Sequence, residues 1–212
     1  MKLAERNCIL VDTPKDCAQL IIETVGLEAS SINMYEPGFG RGNFMLAMLL
    51  QGVRSVCGIE QDHAMVQAAK SNLWAYRSRV DFLEHENMLP FVIPRGVNLV
   101  YCYLMHGLTE LLFAKTILEN NADPCYFVSH NYPLVLPLGP DTLQPNKTIT
   151  QYHNWAEYPP YSQLYIYEIT PHLRTCFVAV SRKILAEFRK NSVDGPLELK
   201  RKIYCGSRSH CP

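Results

Sequence analysis

Apolar positions along the chain switch between two periods, close to 3.6 residues in some segments and short unbroken runs in others, and the switch repeats from about residue 13 to 135. Asp12-Thr13-Pro14 offers a cap and a first-turn proline. Cys17, Leu20, Ile21, Ile22 and Val25 then recur at helical spacing until Gly26. A strand is predicted over Ser31–Tyr35, running into Glu36-Pro37-Gly38-Phe39-Gly40-Arg41-Gly42, and a helix from about Asn43 to Gln51, stopped by Gly52. Strand Ser55–Ile59, helix Asp62–Trp74 with Asp62 as N-cap, strands Val80–Leu83 and Asn98–Leu104, helix Leu108–Leu118 and strand Cys125–Ser129 complete the alternation. After Pro133 the texture changes: prolines and polar residues fill Leu134–Pro145. Ser162–Ile169 and Thr175–Ser181 read as strands and Thr148–His153 as a further candidate, with the choice of terminal antiparallel pair left open. A helix over Lys183–Lys190 leads into a Gly-, Ser- and basic-rich tail.

Strand and helix in regular alternation predict an α/β fold, a mostly parallel, doubly wound sheet covered on both faces. The 212 residues, 48% of them hydrophobic, suffice for one sizeable core and not for two full domains. Formal net charge is zero, so no global field favours nucleic acid, a membrane surface or an acidic substrate; nucleic acid stays possible and is not favoured. Eight cysteines without a C-x-x-C pair give a metal site little support, and several, Cys57 and Cys102 among them, sit in apolar runs as small hydrophobes. The N-terminal stretch lacks the apolar run of a secretory leader, and no apolar stretch is long enough to span a bilayer. A cytoplasmic or nuclear location is expected, with reduced thiols.

The chemistry concentrates at Glu36-x-Gly38-x-Gly40-x-Gly42. Glycines after a first strand let the chain turn tightly and a ligand approach the backbone. The acid precedes the glycines directly, and the spacing differs from the dinucleotide pattern G-x-G-x-x-G that serves a pyrophosphate. S-adenosylmethionine, which has an amino-acid moiety and a sulfonium in place of a pyrophosphate, suits it better, with Glu36 accepting from the ligand's ammonium. Glu60, closing Gly58-Ile59-Glu60 at the end of the second strand, stands 24 residues after Glu36, where a carboxylate accepts ribose hydroxyls; Gln61 adjoins it. Glu86 and Asn87 in Glu84-His85-Glu86-Asn87 follow the third strand, within reach of an adenine edge. Gly38, Phe39, Gly40 and Gly42 complete the candidate cofactor set.

Over roughly residues 11–170 the chain resembles the class I S-adenosylmethionine-dependent methyltransferases. Within them it is most similar to the small lysine methyltransferases related to the enzymes of adenine nucleotide translocase and the ATP synthase c subunit. The residues that carry the likeness are Val11-Asp12-Thr13-Pro14, the Glu36 loop, Gly58-Ile59-Glu60-Gln61-Asp62, the run Asn98–Leu104 and Val128-Ser129-His130-Asn131-Tyr132-Pro133. The resemblance implies a Rossmann-like sheet of seven strands with an antiparallel last strand. It implies a methyltransferase domain over residues 1–181, followed by a C-terminal helix and basic tail over 182–212. Pro37 and Arg41 depart from it, standing where such relatives usually carry a small or apolar residue and an aspartate, and Glu86 replaces the usual aspartate.

Tyr103 and His130 follow the carboxyl ends of central strands, where open α/β sheets bind ligands, and are the candidate catalytic residues. His130 is suited to taking a proton or orienting the acceptor. The fourth-strand stretch Tyr101-Cys102-Tyr103-Leu104 lacks the Asn/Asp-Pro-Pro-Tyr/Phe expected of an enzyme that methylates base amino groups. A protein lysine is therefore expected ahead of a small molecule or RNA, with a catalytically silent binding module as the contrasting class. Trp155, Tyr158 and Tyr161 are candidates to wall a small-molecule pocket, and Lys200, Arg201, Lys202 and Arg208 to touch phosphates. Oligomeric state is not legible.

Overall fold

A computed structural model describes residues 16–83, 91–104, 107–136, 143–152 and 161–193. Strands β1 (Asn33–Pro37), β2 (Ser55–Ile59), β3 (Val80–Leu83), β4 (Leu99–Cys102), β5 (Tyr126–His130), β6 (Lys147–Tyr152) and β7 (Tyr161–Glu168) form one seven-stranded sheet in the order β3-β2-β1-β4-β5-β7-β6. The first five are parallel; β7 runs antiparallel to β5 and to β6. This is the mostly parallel, doubly wound sheet that the alternation predicts, with the antiparallel strand placed inside the edge.

Helices α1 (Asp16–Val25), α2 (Asn43–Leu50) and α3 (His63–Asn72) cover one face, burying Ile21, Phe44, Met48 and Ala69 against Met34, Val56, Tyr101 and Val128. Helices α4 (Leu108–Glu119) and α5 (Pro171–Val193) cover the other, where Phe113, Phe127, Tyr167 and Phe177 meet. Phe113 receives Phe127 edge-on at 5.3 Å and Phe177 edge-on at 6.2 Å, the geometry ring quadrupoles favour. The expected N-cap holds: the Asp62 carboxylate accepts from Ala64 N at 2.8 Å and Met65 N at 3.3 Å. The cap expected at Asp12-Thr13-Pro14 lies outside the described residues.

The strand expected over Thr175–Ser181 is helix instead, part of the continuous α5. Thr170 Oγ1 accepts from Leu173 N at 3.1 Å and Pro171 opens the helix, a cap followed by a first-turn proline. Arg174 binds α5 to the end of α4. Its guanidinium donates to the carbonyls of Thr116 at 3.3 Å, Ala122 at 2.9 Å and Asn120, at and just beyond the C-terminus of α4. No helix among the described residues is long and apolar enough to cross a membrane.

Candidate functional site

β1 and β2 end side by side, with Glu36 in register with Gly58 and Pro37 with Ile59. The loop after β1 turns through Gly38, Gly40 and Gly42, at φ 72°, 56° and 72°, values an L side chain tolerates poorly. Gly38 N donates to Ile59 O at 2.7 Å and Gly42 N to Phe39 O at 2.9 Å, fixing the loop against β2. Gly58 is what lets the loop lie so close. A Cβ there would fall 2.4 Å from Glu36 O, 2.4 Å from Met45 Cε and 2.8 Å from Phe39 Cδ1.

Two carboxylates converge on this loop in opposite conditions. Glu60 is satisfied: Oε1 accepts from Gln61 N at 2.8 Å and Asp62 N at 3.0 Å, and Oε2 from Gly40 N at 3.0 Å. Of roughly four lone-pair sites on a carboxylate, three are used. Accepting both hydroxyls of a ribose therefore requires Glu60 to release one of these three N–H groups. Glu36 is buried, and its Oε2 has no hydrogen-bond partner. Burial, and secondarily the nearby Glu60 charge, push the Glu36 carboxyl well above its ordinary value of 4.5.

Phe39 and Gln61 flank the two carboxylates in different ways. The Phe39 side chain turns inward against Phe82, with centroids 5.4 Å apart, so only its backbone can face a ligand. Gln61 is exposed, and its backbone N–H serves Glu60. Glu86 and Asn87 lie outside the described residues, as do Trp155, Tyr158 and the basic tail; nothing is described of the Tyr161 side chain.

A second polar group forms beyond β4 and β5. Register pairs Tyr101 with Val128 and Cys102 with Ser129, which carries Tyr103 opposite His130. Their rings stack at 4.4 Å and 21°. A 2.7 Å hydrogen bond joins His130 Nδ1 to the buried Tyr101 hydroxyl. Asn131, at φ 63°, locks the group to β7: Gln163 N donates to its Oδ1 at 2.8 Å, its own N–H donates to Gln163 O at 2.7 Å, and its Nδ2 donates to Tyr103 Oη at 3.1 Å. The structure thus brings the predicted Tyr103 and His130 together and adds Tyr101 and Asn131. The signal for Asn131 was present in Ser129-His130-Asn131, since asparagine at the end of a strand is the non-glycine residue that best tolerates positive φ.

No protein-family model and no curated protein matches the chain. Solved structures do. The chain is similar to an RNA methyltransferase from Salinibacter ruber in complex with S-adenosyl-L-homocysteine, at 20% identity and a TM-score of 0.58, over 76% of this chain and 95% of that one. It is also similar to the StiE O-MT segment, at 9% identity and a TM-score of 0.54, over 82% of this chain and 80% of that one. At these identities the likeness establishes architecture: the chain has the Rossmann-like fold seen in these methyltransferase structures.

Proposed function

We propose that the chain is an S-adenosylmethionine-dependent methyltransferase that acts on an amine of a protein, a lysine side chain first. The observation that carries the cofactor assignment is the buried Glu36 Oε2 with no hydrogen-bond partner beside the glycine loop. A buried, unpaired carboxylate costs free energy that a cationic partner removes. The ammonium of the cofactor's amino-acid moiety is such a partner, and the loop offers it backbone at close approach. Glu60, which reaches the loop through Gly40 N, is the candidate for the ribose, and Gly38, Gly40 and Gly42 keep the intervening backbone bare of side chains.

When bound, S-adenosylmethionine supplies an electrophilic methyl carbon, leaving the protein to align and desolvate the nucleophile. An acceptor lysine must lose its proton against an ordinary pKa of about 10.4. His130, held through Nδ1 by Tyr101 and stacked on Tyr103, presents a fixed imidazole to orient that amine or relay its proton. The Tyr103 hydroxyl, held by Asn131, is a second fixed group for the acceptor. The likeness to the Salinibacter ruber RNA methyltransferase favours RNA as the second reading.

The test is calorimetric titration with S-adenosylmethionine, S-adenosylhomocysteine and NAD, followed by radiolabelled methyl transfer into cell extract treated with protease or ribonuclease. Saturable binding of the two sulfur ligands alone, with label lost to protease, is the expected outcome. Label lost to ribonuclease moves the acceptor to RNA. Cofactor binding without transfer to either fraction leaves a silent binding module, and absence of binding to folded protein removes the cofactor assignment.

A further inference from the structure

At the opposite end of the sheet, β1–β3 show a polar face where a covered α/β sheet is normally apolar. Asn33 is in register with Ser55 and Cys57 with Asp81, so these four side chains share one face. The reverse face of the same segments is the packed one, through Met34, Val56, Val80 and Phe82. Tyr35, in register with Cys57 on the polar face, has a buried hydroxyl with no hydrogen-bond partner. An open cavity of about 470 Å³ lies over this surface, within the size range of small-ligand sites.

Three arginines from three separate segments line it: Arg54 before β2, Arg79 before β3 and Arg95 before β4. Arg79 is anchored. Its Nε donates to Arg54 O at 3.2 Å and its Nη2 to Val53 O, leaving three of the five guanidinium N–H groups for a ligand. Arg54 and Arg95 are exposed, and among the described residues neither has a carboxylate partner. Among the described residues Asp81 is the one carboxylate in the lining. Three arginines from different elements around a polar floor match the planar, multidentate recognition of phosphate oxygens, and Asp81 matches a hydroxyl or amino donor on the same molecule.

We propose that this cavity is a second ligand site, for a small phosphate-bearing molecule held by Arg54, Arg79 and Arg95 with a polar donor on Asp81. It lies at the amino ends of the strands, away from Glu36 and Glu60 at the carboxyl ends, so both sites can be filled together. The proposal stands independently of the methyltransferase reading.

Its test is calorimetry on the full chain with inorganic triphosphate and with ATP, in saturating S-adenosylhomocysteine so that any adenosine pocket at the far edge is blocked. Triphosphate is expected to bind saturably at one site, and at least about tenfold more weakly to the Arg54→Ala/Arg95→Ala double variant. Melting temperature and S-adenosylhomocysteine titration of that variant should match the unaltered protein, since neither side chain has a carboxylate partner among the described residues. ATP should bind more tightly than triphosphate, an advantage that Asp81→Ala abolishes. Absence of triphosphate binding, or equal binding by the double variant, overturns the site; equal affinity for the two ligands overturns the Asp81 contact.

Discussion

The two polar groups at the carboxyl end of the sheet differ in how firmly the protein itself holds them. Beyond β4 and β5, Tyr101, Tyr103, His130 and Asn131 are held by one another and by Gln163. Near the end of β1, Glu36 is buried with an oxygen left bare, beside a glycine loop that admits close approach. One group is preorganised, ready to position something without rearranging. The other carries a buried, unpartnered carboxyl oxygen that a cation from outside can meet. Preorganisation suits the orienting of a nucleophile; unmet demand suits the capture of a charged cofactor.

The contrast breaks most completely at Gly58. Gly58→Ala places a methyl group against the backbone of Glu36, which cannot yield as a flexible side chain would. A stability loss of about 2–3 kcal/mol is expected in urea unfolding, together with loss of cofactor binding as the loop lifts. Removing the demand itself is the next largest effect. Glu36→Gln should weaken S-adenosylhomocysteine binding about 10–100-fold while raising the melting temperature of the unliganded protein by about 2–4 °C. The sign follows from the raised carboxyl. The folded chain holds the Glu36 proton more tightly than the unfolded chain, so its stability falls as pH rises from 4.5 through the folded value. Ligand binding favours the ionised carboxylate, so affinity rises across the same window and a proton is released. Titrations in buffers of different ionisation enthalpy should show that release, and Glu36→Gln should abolish it. The smallest effect belongs to the interlocked group. Asn131→Gly keeps the positive φ at no steric cost and removes only the side chain, so kcat should fall about tenfold with S-adenosylhomocysteine affinity unchanged. Equal losses in both quantities would merge the two groups into one.

These differences trace back to what a one-dimensional pattern contains. Strands β1 to β5 were all legible, β4 as an unbroken apolar run because it is buried along its whole length, and β3, with Asp81 exposed, from its place in the alternation with helices. Glu36 and Glu60 were legible because their neighbours in sequence, the glycines and the strand end, are also their neighbours in space. The Tyr101–His130 bond was not, since it depends on the register of β4 on β5, which no local pattern specifies. Helix α5 was misread for a different reason. Cys176-Phe177-Val178-Ala179-Val180 is a continuous apolar stretch rich in strand-favouring residues. Only the longer series Leu173, Phe177, Ile184, Leu185 and Phe188, all packed on the α4 side of the sheet, shows the helical face. Thr170-Pro171 was the overlooked start signal.

The position of β7 has a consequence for how the chain is made. β7 follows β6 in sequence yet lies between it and β5. While the chain is being synthesised, β1–β5 emerge first and can pair, but the outer edge of β5 stays bare until residues 161–168 have left the ribosome. During that interval a row of unsatisfied backbone groups is open to any extended segment nearby, including β5 of another nascent copy. The closing of the sheet is therefore a long-range event late in synthesis, and the yield of folded protein should depend on how well the cell shields that edge until it arrives.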